Sequence, residues 1–311
     1  MKKMFIIVDV KRFSVRHGPS QNIAFLGLLT SVVAVFSLLC EFVPFSSLLI
    51  VLFLPSIASF AIEYSEKPYS FLFVVASLGI SIAVTASSFQ ETLFYIYPAI
   101  CSGSLYGALR KRGLNVALTI FLASFLSLAL NYLAIPLVKL FYEIDMINSV
   151  LTILGLANKA NIYWIVPSLI YVYSLLELGI SFFFIEFVNI RFGYEIPKLK
   201  IRFESCYPFL SLGLSSLSLL LAWFYPPLSY LFLLLAFYWM IFASVTSLGG
   251  RFILHYVVLI SLFIIATFLF VLFYKSMPSG TGILLLNLFP LMLDLPLFFL
   301  NQKKKELADK Q

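Results

Sequence analysis

Charge is what this chain has least of. Asp, Glu, Lys and Arg make up 11% of its 311 residues, against 62% hydrophobic ones, where soluble domains carry roughly 25% charged residues. So little charge cannot cover a water-facing surface, which excludes a soluble globular fold and makes lipid the solvent. There are 2 histidines and 3 cysteines, none at metal-ligand spacing, so no metal site is expected. Cys40 and Cys101 lie in apolar runs and read as small buried hydrophobes. Cys206 sits beside a span, a position open to acylation. No Asn-X-Ser/Thr acceptor occurs. Gly-x-Ser-x-Gly, His-Glu-x-x-His and phosphate-loop patterns are missing too. No segment between the apolar runs is long enough to bind a nucleotide. Neither an enzyme nor a bound cofactor is expected.

What the chain does have is long apolar runs. A membrane span needs about 20 apolar residues. Such runs lie near 22–43, 46–62, 70–89, 92–109, 114–141, 163–189, 207–224, 228–248, 252–274 and 282–300. The second and fourth are short or hold small and polar residues, so about eight spans is the alternative to about ten. The first run has no small-residue cleavage site after it and reads as a retained anchor.

The basic residues test this map. With the N-terminus inside, all but Lys139, Lys159 and Lys275 of the 21 basic residues fall in inner segments. That bias is the positive-inside signature, and one missed span would reverse every later loop. It places both ends in the cytoplasm of a multi-pass cell-membrane protein. The net charge of +7 therefore reports topology. No basic groove with interleaved aromatics forms, so no nucleic-acid partner is expected; the expected partner is the bilayer.

The loops divide the chain. Segment 1–21 is a cytoplasmic start, 22–190 a six-helix membrane unit, 191–206 a basic cytoplasmic loop, 207–300 a four-helix unit and 301–311 a basic tail. In the outer segment Glu143–Asn161, Ile147, Val150, Leu151 and Leu154 recur at helical spacing, which predicts a short amphipathic helix.

The segment Arg191-Phe-Gly-Tyr-Glu-Ile-Pro-Lys-Leu follows one long span and precedes another. Together with Tyr97–Gly113, the apolar opening and the lysine-ended last span holding Asp294, it resembles the YybS-like family of bacterial membrane proteins. That family implies a polytopic membrane protein and brings no established activity. The first six spans are also similar in layout to the substrate-capture subunits of energy-coupling-factor vitamin transporters. The likeness rests on Gly27 and Ser31 in span one, and on Pro98, Gly103 and Gly107 ahead of Arg110-Lys111-Arg112 in span four. It implies a membrane partner or ATPase-linked subunit, with the Gly27/Ser31 face as the contact.

A charge in mid-span is costly and faces protein or water. Glu177 is the sharpest example, with Ser174 and Ser181 on the same helix face at i−3 and i+4. It reads either as a proton or cation site, or as a packed acid. Asn287, Pro290 and Asp294 share a face of the last span, where two prolines should loosen the helix, so Asp294 with Asn287 reads either as an ion site or as an acid near the inner interface reaching toward water. Glu186 reads as a solvated interfacial charge, and His255 as a packed one. Gln90, Glu91, Tyr95, Asn131, Tyr132 and Glu41 lie at outer span ends, where polar and aromatic groups suit a small ligand or an interfacial belt. Gly103 and Gly107 form a GxxxG packing face, and Ser211, Ser215 and Ser218 a hydrogen-bonding one.

These features predict an all-α, polytopic transmembrane helical bundle. The function expected is small-molecule transport or substrate capture. The alternative is a non-catalytic scaffold or accessory protein of a cell-envelope complex.

Overall fold

The computed structural model describes residues 18–43, 46–85, 89–153, 165–193 and 206–248, with a few single positions beyond, Asn287 among them. All regular structure among the described residues is helical. The helices are α1 (Pro19–Phe42), α2 (Ser46–Tyr64), α3 (Lys67–Val84), α4 (Phe89–Glu91), α5 (Tyr97–Lys111), α6 (Val116–Tyr142), α7 (Met146–Ile153), α8 (Ile165–Phe192), α9 (Tyr207–Leu221) and α10 (Pro226–Leu248). A π turn, Thr92–Ile96, joins α4 to α5. Pro98 explains it: proline cannot donate to the carbonyl of Phe94, and its ring pushes that carbonyl away, so the preceding turn widens.

Five helices, α1, α3, α6, α8 and α10, are long and apolar enough to cross a membrane. The chain is therefore an integral membrane protein. Large side chains such as Leu28, Phe42, Phe71 and Leu133 stand exposed on these helices, as a surface solvated by lipid tails requires. The runs at 252–274 and 282–300 lie almost wholly outside the described residues. So do Asp294, Pro290, His255 and the Gly-Tyr-Glu-Ile-Pro segment.

The chain divides into two compact units, Met1–Asn131 with Glu177–Ile201, and Tyr132–Leu176 with Arg202–Gln311. Two of the three boundaries fall inside long helices, α6 and α8, and the third lies outside the described residues.

In the first unit the helix directions follow from side-chain pairs. Asn22 Oδ1 accepts the Glu66 N–H at 3.0 Å, and Ser37 Oγ lies 3.0 Å from Ser81 Oγ. The sequence offset is the same in both pairs, so α1 and α3 run parallel. Phe25, early in α1, meets Phe60, late in α2, edge-on at 5.8 Å, so α2 runs the other way. Gly103 faces Pro55 and Gly107 faces Ser59, which sets α5 parallel to α2. Ser181 Oγ donates to the Leu52 carbonyl at 3.2 Å and Tyr64 Oη donates to Asn189 Oδ1 at 3.0 Å, so α8 runs with them. Gly113, at φ 82°, turns the chain out of α5 in a conformation that glycine adopts most readily.

The second unit contains the α9–α10 hairpin. Ser211 Oγ donates to the Ala236 carbonyl at 2.8 Å. Ser218 Oγ donates to the Ser229 carbonyl at 2.9 Å, and Ser229 Oγ returns the bond to the Ser218 carbonyl at 2.5 Å. Asn287 Oδ1 accepts from Ser215 Oγ at 3.1 Å while its Nδ2 donates to Ser218 Oγ at 2.9 Å. Apolar helices gain little from mutual burial in lipid, so such bonds and close backbone contact hold them together.

The short outer helix expected near residue 147 is α7. It starts at Asp145, whose Oδ1 accepts the Asn148 N–H at 3.1 Å and whose Oδ2 accepts Lys139 Nζ at 3.0 Å. The Asn148 N–H first, and then Lys139, hold this carboxyl below its usual range. The cap is thus intact at neutral pH, and its contribution fades as pH falls through that lowered value.

The α2–α5 contact is the tightest in the first unit. A Cβ at Gly103 would fall 2.5 Å from Pro55 Cα, and one at Gly107 would fall 2.5 Å from the Ser59 carbonyl oxygen. Gly103→Ala or Gly107→Ala must therefore push two backbones apart. Each should cost about 1–3 kcal/mol, read as a lower thermal-unfolding midpoint in detergent. Gly27→Ala, whose Cβ would meet nothing within 4 Å, should leave the midpoint unchanged.

Candidate functional site: a buried charge cluster and an isolated carboxyl

Two arrangements in the first unit place ionisable groups out of water. One lies where α2, α5 and α8 reach their C-terminal ends. Arg110 Nε stands 3.0 Å from Glu63 Oε1, and its Nη2 stands 2.6 Å from Glu186 Oε1. Its Nη1 donates to Tyr106 Oη at 3.3 Å. The guanidinium carbon lies 5.8 Å from the Tyr106 ring centre and 5.7 Å from that of Phe182, a further modest attraction. Side-chain exposure is 4% for Arg110 and 1% for Glu63, against 22% for Glu186. One acid is therefore sealed and the other is partly exposed.

Helix geometry explains why cations gather here. The last carbonyls of an α-helix lack intrahelical partners and carry partial negative charge. Arg110 and Lys111 both sit in the last turn of α5. Lys111 Nζ donates to the Ile62 carbonyl at 3.3 Å and also to the Ser65 carbonyl, which caps the end of α2. Glu63, an acid at a negative helix end, is tolerated because Arg110 faces it.

The other arrangement is Glu177, in the middle of α8. It is 1% exposed, and Ser174 and Ser181 on its face are both fully buried. Ser174 Oγ bonds back to the Ile170 carbonyl at 2.9 Å, and Ser181 Oγ reaches the Leu52 carbonyl. Glu177 Oε1 is buried without a hydrogen-bond partner among the described residues. Such orphaned oxygens are rare in native interiors and invite an explanation.

The remaining candidates are dispersed. Gln90 and Tyr95 are half-buried, and the Glu91 side chain lies outside the described set. Asn131 is buried, but its Nδ2 turns back onto its own helix, donating to the Ser127 carbonyl at 3.0 Å. Tyr132 is exposed. Asn287 is tied to Ser215 and Ser218 in the second unit. Gly27 and Ser31 stand exposed on α1, with Ser31 Oγ bonded to the Gly27 carbonyl at 2.9 Å. No cluster of His, Cys, Asp or Glu among the described residues could hold a metal ion.

Two readings of the sequence need correction. Arg110 does not belong with the solvated loop cations, and Glu186 is not simply a solvated interfacial charge; they are partners. Glu63 went unnoticed. The signal was present: Gly103, Gly107 and Arg110 recur at i, i+4 and i+7. A face that packs through its glycines carries its arginine into the same interface.

Comparisons with protein-family models, curated proteins and solved structures find no match.

Removing Arg110 leaves two carboxylates facing each other with no counter-charge. Arg110→Ala should destabilise the first unit by about 3–5 kcal/mol, measured as loss of folded, detergent-extractable protein. Arg110→Lys should be intermediate, because one ammonium cannot span both carboxyls as a planar fork does.

Proposed function

We infer that this chain is a multi-pass cell-membrane protein of the transport type, in which the first unit captures a small solute or ion and Glu177 is the group that binds it. The supporting observation is the orphaned Glu177 oxygen in a fully buried helix face. A purely architectural acid would have its oxygens filled, as the amide of Asn287 has both its oxygen and its nitrogen filled in the serine cluster of the second unit. The solute class is cationic, or a proton exchanged for one, since an ionised carboxyl in apolar surroundings needs positive charge.

Two further features fit this reading. The parallel run of α2, α5 and α8 requires an odd number of crossings between successive members, which α3 and α6 supply. That favours counting the short α2 and α5 as spans, in line with about ten spans and cytoplasmic termini. The Pro98-to-Arg110 helix fits the likeness to capture subunits and membership of the YybS-like family. Energy would then come from an ion gradient or an ATPase-linked partner, since the chain carries no phosphate loop.

The scaffold reading draws on the exposed small face of α1. Gly27 has open space around its Cα, so a partner helix could approach there closely.

The test is purification in mild detergent with mass spectrometry of retained small molecules and proteins. A bound solute present in the wild type and lost at least tenfold in Glu177→Gln, at equal protein yield, is the expected outcome. Equal retention in both would sink the Glu177 assignment. No solute, but an envelope-protein partner released by Gly27→Leu, would favour the scaffold.

A further inference from the structure

We propose that Glu63 is a proton-binding site at the C-terminal end of α2, and that Arg110 is shared or unshared according to whether the proton is present. Proton exchange at Glu63 is independent of what Glu177 does, and it would operate in a carrier or a scaffold alike.

The two acids that flank Arg110 are not equivalent. Glu186 is partly exposed and makes the shorter contact, 2.6 Å to Nη2, so it is the closer partner of Arg110. Glu63 is sealed, and only its Oε1 meets the guanidinium, at 3.0 Å. Neither oxygen has a hydrogen-bond partner among the described residues, so Oε1 meets Arg110 as an ion pair alone and Oε2 lacks even that. A carboxylate oxygen sealed without a donor is costly. A proton on that oxygen removes the cost, because the hydroxyl then donates. Ser59, one turn earlier on the same helix, offers a buried Oγ that is likewise unpartnered. The two carboxyls thus sit in unequal environments, and the sealed one is where a proton removes most cost.

The charged and titratable groups around Glu63 have other commitments. From α5, Arg110 is bound to Glu186, Tyr106 Oη receives an Arg110 N–H, and Lys111 is bound to the Ile62 and Ser65 carbonyls. From α8 come Glu186 and the neutral Asn189, whose Oδ1 is held by Tyr64. Glu66 and Lys67, at the start of α3, act on Lys111. A metal ion is a poorer occupant than a proton. The guanidinium already stands 3.0 Å from the same carboxyl, and hard cations need several oxygen ligands at once. The step is proton association alone: a proton from water joins Oε2, no other bond changes and nothing is oxidised. Arg110 is then left with Glu186 as its one anionic partner among the described residues, and the ionic tie between α2 and α8 is lost.

The experiment is infrared difference spectroscopy of the full-length protein in lipid nanodiscs, between acidic and alkaline buffers. Every carboxyl that titrates between the two buffers adds a protonated C=O band, so the readout is the wild-type difference spectrum minus that of Glu63→Gln. That double difference should hold one C=O band that shifts in D2O, moves in frequency in Glu63→Asp, and is kept in Glu177→Gln. Superimposable carboxyl bands in wild type and Glu63→Gln would overturn the proposal. So would a pH response that requires sodium chloride and is absent in choline chloride. Should Glu63→Gln fail to fold, Glu63→Asp decides, because it keeps the carboxyl and the arginine pair; an unmoved band there is equally fatal.

Discussion

The close approach of α5 to α2 sets the terms for the first unit. In water, two helices are driven together by burying apolar surface. In lipid that drive is missing, because the tails are as apolar as the side chains. What remains is contact quality and hydrogen bonding. Gly103 and Gly107 let the α5 backbone lie directly on Pro55 and Ser59. That proximity excludes lipid and water from the seam, and it carries Arg110, on the same face, into a dry position. The ion cluster is thus a consequence of the glycine contact. Widening the seam would wet Arg110 and change its balance between Glu63 and Glu186.

Parallel helices sharpen the effect. When α2, α5 and α8 run together, their carbonyl ends converge, and partial negative charges accumulate at one end of the unit. Arg110 and Lys111 answer that charge, one through carboxylates and the other through free carbonyls. An antiparallel arrangement of the same helices would mix positive and negative ends and need no such cations. The basic triplet Arg110-Lys111-Arg112 therefore has two kinds of member. Two residues neutralise helix ends, while Arg112 is exposed and free to meet the aqueous interface.

Much of this was legible in the sequence, and for identifiable reasons. Apolar runs and basic loops mark helices and connections, because lipid imposes both rules on every segment at once. The described helices α1 to α3, α6 and α8 to α10 lie on the expected runs. The GxxxG face was readable because only small residues permit that contact. Two things were hidden. The π turn before Pro98 depends on local backbone geometry that composition does not report. The Glu63–Arg110–Glu186 cluster joins residues from three helices, and an adjacent Lys and Arg made Arg110 look like one more loop cation. Charge near a span end is ambiguous by position alone. Only its helical face, set by Gly103 and Gly107, separates a buried arginine from a solvated one.

The described polar groups are satisfied to different degrees. In the second unit, Ser211, Ser215, Ser218, Ser229 and Asn287 donate and accept among themselves and neighbouring carbonyls. A network filled in this way is architectural: it stabilises one arrangement and leaves nothing to offer a ligand. In the first unit, Ser56, Ser59, Glu63 Oε2, Ser104 and Glu177 Oε1 are buried without hydrogen-bond partners among the described residues. Ser56, Ser59 and Glu63 recur at i, i+3 and i+7, so three of these atoms belong to one face of α2. Each unfilled oxygen raises the energy of the resting state. A donor or acceptor brought within reach of such a group would remove that cost, so these positions on α2, α5 and α8 are where the described helices have most to gain from a new polar contact.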